Sequence, residues 1–394
     1  MMADDPAALN SAGLRALGQG DAATAAALLA RAAAADPRSP LLWYNLATAH
    51  GAALDSAAEI AALDRALDLD PYFDHALLGK GRALENRGDM AGALELYQRL
   101  LAATDPRAQQ GPGFMAGLAH ARAALTAAND RLSGQLDTAL APALAGLGDD
   151  DSRRFRHFVD ASLGRRQLYP HQPLVLHYPY LPAEQFFSRG HFPWLAQLEA
   201  ATPVIRAELQ ALLAAGGEGF APYVAYPTGV PVNQWADLNH NDAWAAQFLI
   251  QHGVAQDAVR ARCPQTAAVL DGLPLFELEG RGPVAFFSLL KPRTRIPPHT
   301  GATNIRTIIH LPLIVPQDCG FRVGNETRPW VEGEAFAFDD TIEHEAWNGS
   351  DDLRAVLIID TWNPHIAPAE RALLRDYVAA LDASGRGLQG FDPG

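Results

Sequence analysis

The stretch VAFFSLLKPRTRIPPHTGATNIRTIIHLPLIV, residues 284–315, is the most informative part of the sequence about the fold of the second half of the chain. It holds two runs rich in Val, Ile, Leu and Phe, at 284–290 and 305–315, separated by Pro, Gly and Asn residues that favour turns. Because no helical sequence lies between them, the two runs predict β-strands that follow one another without an intervening helix.

Further strand candidates follow, again separated by residues that favour turns. They are CGFRVG (319–324), TRPWV (327–331), AFAFDD (335–340) and RAVLIIDTW (354–362). The last is apolar at successive positions, as in a strand buried on both faces. Closely spaced strands of this kind predict a double-sheet jelly roll of about eight strands. Upstream, FPWLAQLEAATPVIRAELQALLAA (192–215) has helical periodicity and predicts helices that support one sheet.

The first half of the chain repeats itself. Asp36-Pro37, Asp70-Pro71 and Asp105-Pro106 recur at spacings of 34 and 35 residues, and each closes an Ala/Leu-rich helical segment. This pattern resembles three tetratricopeptide repeats of two helices each. In the second repeat, Leu54 stands where the other two repeats have a turn glycine.

The change in composition near residue 146 predicts two domains. Residues 1–146 form an all-α, tetratricopeptide-like repeat domain that ends in a capping helix over 111–147, and residues 147–394 form the β-rich domain. Stacked repeats present a concave groove that holds a peptide or a protein. We therefore predict a peptide or protein partner in that groove.

The overall composition excludes several classes of function. The 394 residues include 31 basic and 45 acidic ones, and the net charge of −14 repels nucleic acid and anionic lipid surfaces. Neither a secretory signal nor an apolar run of about 18 residues is present, so we predict no membrane partner. Two cysteines, Cys263 and Cys319, are too few for a disulfide framework. These features favour a cytoplasmic location.

Two histidines and an arginine in the β-rich half carry a candidate chemistry. His299 and His344 are 45 residues apart, and Arg354 follows ten residues later at the start of a strand. Two imidazoles at the mouth of a jelly roll can hold Fe(II) and leave positions open for 2-oxoglutarate and O₂. The arginine can then bind the far carboxylate of the oxoacid. The usual carboxylate ligand two residues after the first histidine is absent, because that residue is Gly301.

The segments PHTGATNIRTIIHL (298–311), GNETRPWVEGEAFAFDDTIEHEAWN (324–348) and DLRAVLIIDTWNP (352–364) resemble the aspartyl/asparaginyl β-hydroxylases. Members of that family are 2-oxoglutarate oxygenases on a double-stranded β-helix that bind iron with two histidines and no protein carboxylate. The resemblance covers about residues 170–366. It implies that the iron ligands are His299 and His344, and that the residues holding 2-oxoglutarate are Ser288, His310 and Arg354.

Three further residues are candidates for substrate binding. In the family that this chain resembles, two arginines follow the first iron histidine, and the second helps to hold the acidic side chain of the substrate. Arg306 matches the first and is a candidate for substrate binding, whereas Ile308 stands at the position of the second. Loss of one charged hydrogen bond weakens carboxylate recognition by about 1.5–3 kcal/mol. The polar and aromatic loop VNQWADLNHNDAW (232–244) contributes Trp235 and Asn241 to the expected mouth of the site.

The function expected from these features is an Fe(II)- and 2-oxoglutarate-dependent dioxygenase. Its expected substrate is an Asp- or Asn-type residue of a peptide held by the repeats. Two alternatives remain open: hydroxylation of a free amino acid or other small molecule, and an inactive repeat-based adaptor. A zinc-dependent hydrolase would leave Arg354 and Ser288 without a purpose.

Overall fold

The computed structural model describes residues 5–104, 111–385 and 387. Contacts within the chain divide it into two units, Met1–Gly148 and Asp149–Gly394. The predicted boundary lies two residues before this division. The third repeat signal, Asp105-Pro106, falls outside the described residues.

The first unit consists of the three predicted helical repeats followed by one long helix. Within each repeat an aspartate caps the second helix: the carboxylates of Asp21, Asp55 and Asp89 accept hydrogen bonds from backbone N–H groups at 3.0–3.1 Å. Alanine and leucine side chains fill the interior between the helices. The helices are α1 Pro6–Gly18, α2 Ala22–Ala35, α3 Pro40–Ala52, α4 Ser56–Leu69, α5 Asp74–Asn86, α6 Met90–Ala103 and α7 Pro112–Leu144.

The turns inside the three repeats share a left-handed backbone. Gly20, Leu54 and Gly88 have φ of 82°, 60° and 85°. Glycine adopts this conformation without a steric penalty, whereas other residues lose about 1–2 kcal/mol. The second repeat therefore keeps the turn of its neighbours although its residue type is unfavourable, and the Leu54 side chain is exposed.

We expect Leu54→Gly to stabilise the chain by about 0.5–1 kcal/mol, the steric relief reduced by the greater freedom of glycine in the unfolded state. The measurement is the free energy of unfolding from urea denaturation. Gly88→Ala, at the equivalent turn, is the matched control and should destabilise. An equal loss in both variants would contradict the strain at Leu54.

The second unit contains a jelly roll. The eight strands β4 to β11 form two sheets in the orders β4-β11-β6-β9 and β5-β10-β7-β8, all pairs antiparallel. This double Greek-key order confirms the predicted fold. Three additional strands, β1 to β3, extend the first sheet beyond β4 to seven strands. The strands are β1 Ala221–Pro222, β2 Trp244–Gln251, β3 Val254–Ala255, β4 Ala285–Leu290, β5 Thr294–His299, β6 Arg306–Ile314, β7 Cys319–Val323, β8 Glu326–Pro329, β9 Phe336–Phe338, β10 His344–Asn348 and β11 Arg354–Trp362.

Alternation along the strands of the larger sheet separates two environments. On β4, Ala285, Phe287 and Leu289 pack against helices, whereas Ser288 faces the interior between the sheets. The supporting helices were predicted, and their leucines form one core with this sheet face. The helices of this unit are α8 Asp149–Ser162, α9 Leu195–Ala200, α10 Thr202–Ala214, α11 Asp257–Arg262, α12 Pro264–Asp271 and α13 Pro368–Ala383. In the described part of the chain, none of the helices has the length and apolarity needed to cross a bilayer.

Candidate active site

A cavity of about 640 Å³ lies between the two sheets of the jelly roll. The larger sheet lines it with Ser288, His310 and Arg354, and the smaller sheet lines it with His299 and His344. The five residues predicted to bind metal and oxoacid therefore share one cavity. Each comes from a different strand, β4, β6, β11, β5 and β10 respectively.

The two candidate metal-binding histidines lie side by side, and each uses only its Nδ1 atom in a hydrogen bond to the protein. His344 on β10 is directly opposite His299 on β5, and their ring centroids are 4.0 Å apart. Nδ1 of His299 lies 2.8 Å from the carbonyl of Pro297, and Nδ1 of His344 lies 3.0 Å from that of Ile342. Because a carbonyl only accepts, both Nδ1 atoms carry the proton, which leaves both Nε2 lone pairs available to a metal.

The surroundings also keep both imidazoles neutral. Burial lowers the pKa of His299 to about 4. Burial, and secondarily the neighbouring His299, holds the pKa of His344 well below its usual value. A metal-binding imidazole must be neutral, with one nitrogen lone pair free, so burial prepares this pair for a cation at neutral pH.

Arg354 brings a buried positive charge to the same cavity. Its side chain is 1% exposed, and its guanidinium carbon lies 4.6 Å from the centre of the Trp330 ring. Among the described residues, Nε and Nη1 of Arg354 have no hydrogen-bond partner. Burial lowers the pKa of Arg354 to about 10, so the side chain is still cationic at neutral pH. Two unsatisfied buried donors of a guanidinium suit a carboxylate.

Ser288 and His310 add neutral polar groups beside this charge. Ser288 Oγ accepts a hydrogen bond of 3.1 Å from Trp244 Nε1, so its own hydroxyl proton can be donated elsewhere. His310 stacks on Trp330 at 5.5 Å, and its Nδ1 has no partner in the described part of the chain. Burial, and secondarily Arg354, lowers the pKa of His310 well below its usual value. Ser288 and His310 can therefore add hydrogen bonds to a carboxylate that Arg354 binds.

Arg306 lines the cavity but already has anionic neighbours. Its guanidinium lies 3.3 Å from Asp340 and 4.0 Å from Asp360. All three side chains are buried and line the cavity. The positive charge of Arg306 is thus compensated by the protein before any substrate arrives.

The polar loop predicted to border the mouth divides into two parts. Trp235 lines the cavity, with its ring edge-on to His299 at 4.9 Å. Asn241 is exposed and lies outside the cavity lining. Its amide donates to the carbonyl of Asp237 and accepts from the N–H of Ala243, both at 2.9 Å. The structure does not bring Asn241 to the site, because its side chain closes a turn.

Asp340 explains why position 301 is a glycine. A Cβ atom on Gly301 would lie 2.0 Å from Oδ2 of Asp340, and the N–H of Gly301 donates to the Asp340 carbonyl at 2.6 Å. A carboxylate ligand at 301 therefore has no room. In the described part of the chain, no third Asp, Glu, Cys or His joins His299 and His344 within ligand distance.

We expect Gly301→Ala to destabilise the protein by about 1–3 kcal/mol, the typical cost of forcing an extra methyl into a packed site. The measurement is the free energy of unfolding in urea. Gly113→Ala is the matched control, because a Cβ there meets nothing within 4 Å. If both variants have the same stability, the contact with Asp340 does not restrict position 301.

Several residues of the site were not found from the sequence. Asp360 lies beside Arg306, and Trp244 and Trp330 contact Ser288, His310 and Arg354. One signal was available for Asp360, a lone carboxylate inside the apolar run AVLIIDTW. The two tryptophans carry no such signal, because a tryptophan in a strand is most often core.

Comparison with known proteins relates the β-rich unit to hydroxylases. A family model described as aspartyl/asparaginyl β-hydroxylase matches residues 199–364. The chain is similar to the human aspartyl/asparaginyl β-hydroxylase, with 31% identity over 58% of this chain and 31% of that protein. It is similar to the ornithine lipid ester-linked acyl 2-hydroxylase of Rhizobium tropici, with 34% identity over 50% of this chain and 67% of that protein. The match thus spans about a third of the human relative's length and about two thirds of the bacterial relative's.

A likeness to a solved structure concerns about a third of the chain. The TPR domain of Sgt2 from Aspergillus fumigatus is 23% identical, and the match covers 32% of this chain and 82% of that one with a TM-score of 0.28.

Proposed function

The chain belongs to the aspartyl/asparaginyl β-hydroxylase family, and we propose that it is an Fe(II)- and 2-oxoglutarate-dependent dioxygenase that hydroxylates a C–H bond. One observation carries the proposal. Two neutral histidines with free Nε2 atoms share a cavity with a buried arginine that has two unsatisfied donors.

The residues of the cavity fit the two cofactors. His299 and His344 would hold the iron, while Arg354, Ser288 and His310 would hold the carboxylate groups of 2-oxoglutarate. When bound, the iron couples oxidative decarboxylation of 2-oxoglutarate by O₂, which yields succinate and CO₂, to insertion of the second oxygen atom into a C–H bond. The role of the protein is to orient the reactants.

The wall of the cavity supports this role. Phe321, Phe338 and Ile296 are buried and line it beside the histidines. Such a wall keeps bulk water away from the reacting groups and fixes the positions of the imidazoles. Trp235 closes the side next to His299.

For the substrate, we propose an uncharged side chain of the Asp/Asn class, that is, an Asn-type residue. Asp340 and Asp360 already compensate the charge of Arg306, and Ile308 offers no second cation. A substrate carboxylate would meet two buried carboxylates beside the one arginine. An amide avoids that repulsion and can still bond to Arg306 or Asp340.

We also propose that the repeats hold the substrate peptide or a partner protein. A pocket of about 260 Å³ on the repeat unit is lined by Tyr44, His75, Arg82 and Phe114. Aromatic rings beside a cation are suited to binding an apolar peptide side chain next to a carboxylate. We propose a cytoplasmic location for the chain and for such a partner. The two cysteines, which are both free thiols, are compatible with a reducing compartment.

The test is an assay of succinate formation. The protein is loaded with Fe(II) and 2-oxoglutarate without oxygen, exposed to O₂, and supplied with matched Asn and Asp peptides or with free amino acids. We expect the Asn peptide to stimulate succinate formation more than the Asp peptide and to gain 16 mass units. Stimulation by free amino acids alone would favour the small-molecule alternative, and failure to bind 2-oxoglutarate would favour the inactive adaptor.

A further inference from the structure

A second group of metal-ligand side chains lies in the β-rich unit. The ligand atoms of Glu184, His191 and His365 all lie within 4.8 Å of one another, and none of the three residues lines the cavity. We propose that they form a metal site of their own, for Zn(II) or a similar divalent transition-metal ion, with a structural role.

The donor set suits such an ion. Two imidazoles and one carboxylate are common protein ligands of zinc, and water can take the fourth position. His365 Nε2 donates a hydrogen bond of 2.7 Å to Glu184 Oε1, so the two side chains already lie together. A bound ion would replace the shared proton and move the two donor atoms to about 3.3 Å apart, the separation set by zinc–ligand distances in a tetrahedral site. The His191 and His365 rings are 5.0 Å apart at 68°, so their nitrogen atoms can approach one ion from different directions.

The backbone of His365 is fixed independently of any ion. The residue follows β11, and its N–H donates to Oδ1 of Asn363 at 3.0 Å. Asn363 is fully buried and donates in turn from its amide to the carbonyl of Asn304. His365 is therefore anchored to the end of the jelly roll.

The backbone of His191 is fixed as well. It ends a short 3₁₀-helix, Arg189–His191, in which Arg189 makes a bidentate pair with Glu199, both bonds 2.8 Å, and a 3.0 Å bond to the carbonyl of Ala335. Metal sites bind tightly when their ligands need little rearrangement. The backbones of His365 and His191 are held in this way, although the His191 side chain itself is exposed.

Aromatic rings line one side of the cluster. The ring of the buried Phe187 lies 6.1 Å from that of His365, and the ring of the buried Phe192 lies 6.3 Å from that of His191. An apolar wall on one side lowers the local dielectric and strengthens the attraction between a cation and Glu184. By contrast, the pair of His120 and Glu85 in the repeats has the same 2.7 Å contact but no second imidazole among the described residues.

An ion at this site would link distant parts of the chain. Glu184 and His191 precede the jelly roll, whereas His365 follows its last strand. A link between positions so far apart in sequence restricts the unfolded chain strongly and stabilises the fold. The expected consequence is a thermal unfolding midpoint that rises with zinc by several degrees.

The test counts bound zinc in a protein without the cavity histidines. We expect His299→Ala/His344→Ala to retain one equivalent of Zn(II) after dialysis, measured by elemental analysis. Adding His365→Ala or Glu184→Gln in that background should abolish retention and the thermal shift. Adding His120→Ala should change neither, since that pair lacks a third ligand.

Two outcomes would overturn the site. One is no zinc retention in the double variant, and the other is retention that survives both His365→Ala and Glu184→Gln. If the double variant fails to fold, the same count is made with the cavity histidines intact, where the site predicts that Glu184→Gln lowers zinc by one equivalent. Neither arm depends on the dioxygenase activity, so the two proposals can fail separately.

Discussion

His344→Ala is expected to lower iron-dependent succinate formation by about 100-fold or more. Replacing even a group that only orients a metal ligand costs 10–100-fold in metal affinity or activity, and here one of two protein ligands would be lost. The measurement is succinate produced per enzyme under saturating Fe(II) and 2-oxoglutarate. The matched control is His120→Ala, which removes an exposed histidine of the repeat unit and should leave the rate unchanged.

The fold should survive the loss of His344. Its ring contacts aromatic neighbours in the cavity, but within the described residues the ring makes only one hydrogen bond, the local one from Nδ1 to the Ile342 carbonyl. Circular dichroism and the thermal midpoint check this directly. Unchanged turnover in a folded His344→Ala protein would show that His344 is not a metal ligand.

Arg354→Met is expected to weaken 2-oxoglutarate binding by more than about 100-fold. A bidentate charged contact contributes about 3 kcal/mol or more, and each 1.4 kcal/mol is a factor of ten in affinity. The measurement is the dissociation constant for 2-oxoglutarate by calorimetry under anaerobic conditions. Arg354→Lys keeps the charge but not the planar fork, so we expect an intermediate loss.

The same variant should have the opposite effect on the protein without 2-oxoglutarate. Arg354 is buried with two unsatisfied donors, and an unpaired buried charge carries a desolvation cost that an apolar side chain of similar volume avoids. Thermal unfolding with and without 2-oxoglutarate separates the two effects. A large loss of stability in the unliganded variant would mean that Arg354 serves the fold and not the cofactor.

The pattern of the sequence was sufficient to predict most of the architecture. The 34-residue period identified the repeats because each unit uses the same capping and turn chemistry, down to the left-handed turn retained at Leu54. Runs of β-branched and aromatic residues identified β4, β6 and β11 because those strands are buried on both faces.

Two strands of the smaller sheet were not predicted for a physical reason. β5, Thr294–His299, contains Pro297 and Pro298, which argue against a strand unless it lies at an edge. The structure places β5 at the edge of its sheet, where missing N–H donors are tolerated. β10, His344–Asn348, is short and polar because it carries the metal-ligand candidate and the paired Glu345.

The helical and strand periodicities and the spacing of His299, His344 and Arg354 could be read from the sequence, because they are local properties of the chain. Which charged side chains lie next to one another depends on the folded structure. Asp340 and Asp360 compensate Arg306 from 34 and 54 positions away, and His365 reaches Glu184 across 181 positions. Contacts of that range depend on strand order and register, which residue patterns alone do not specify.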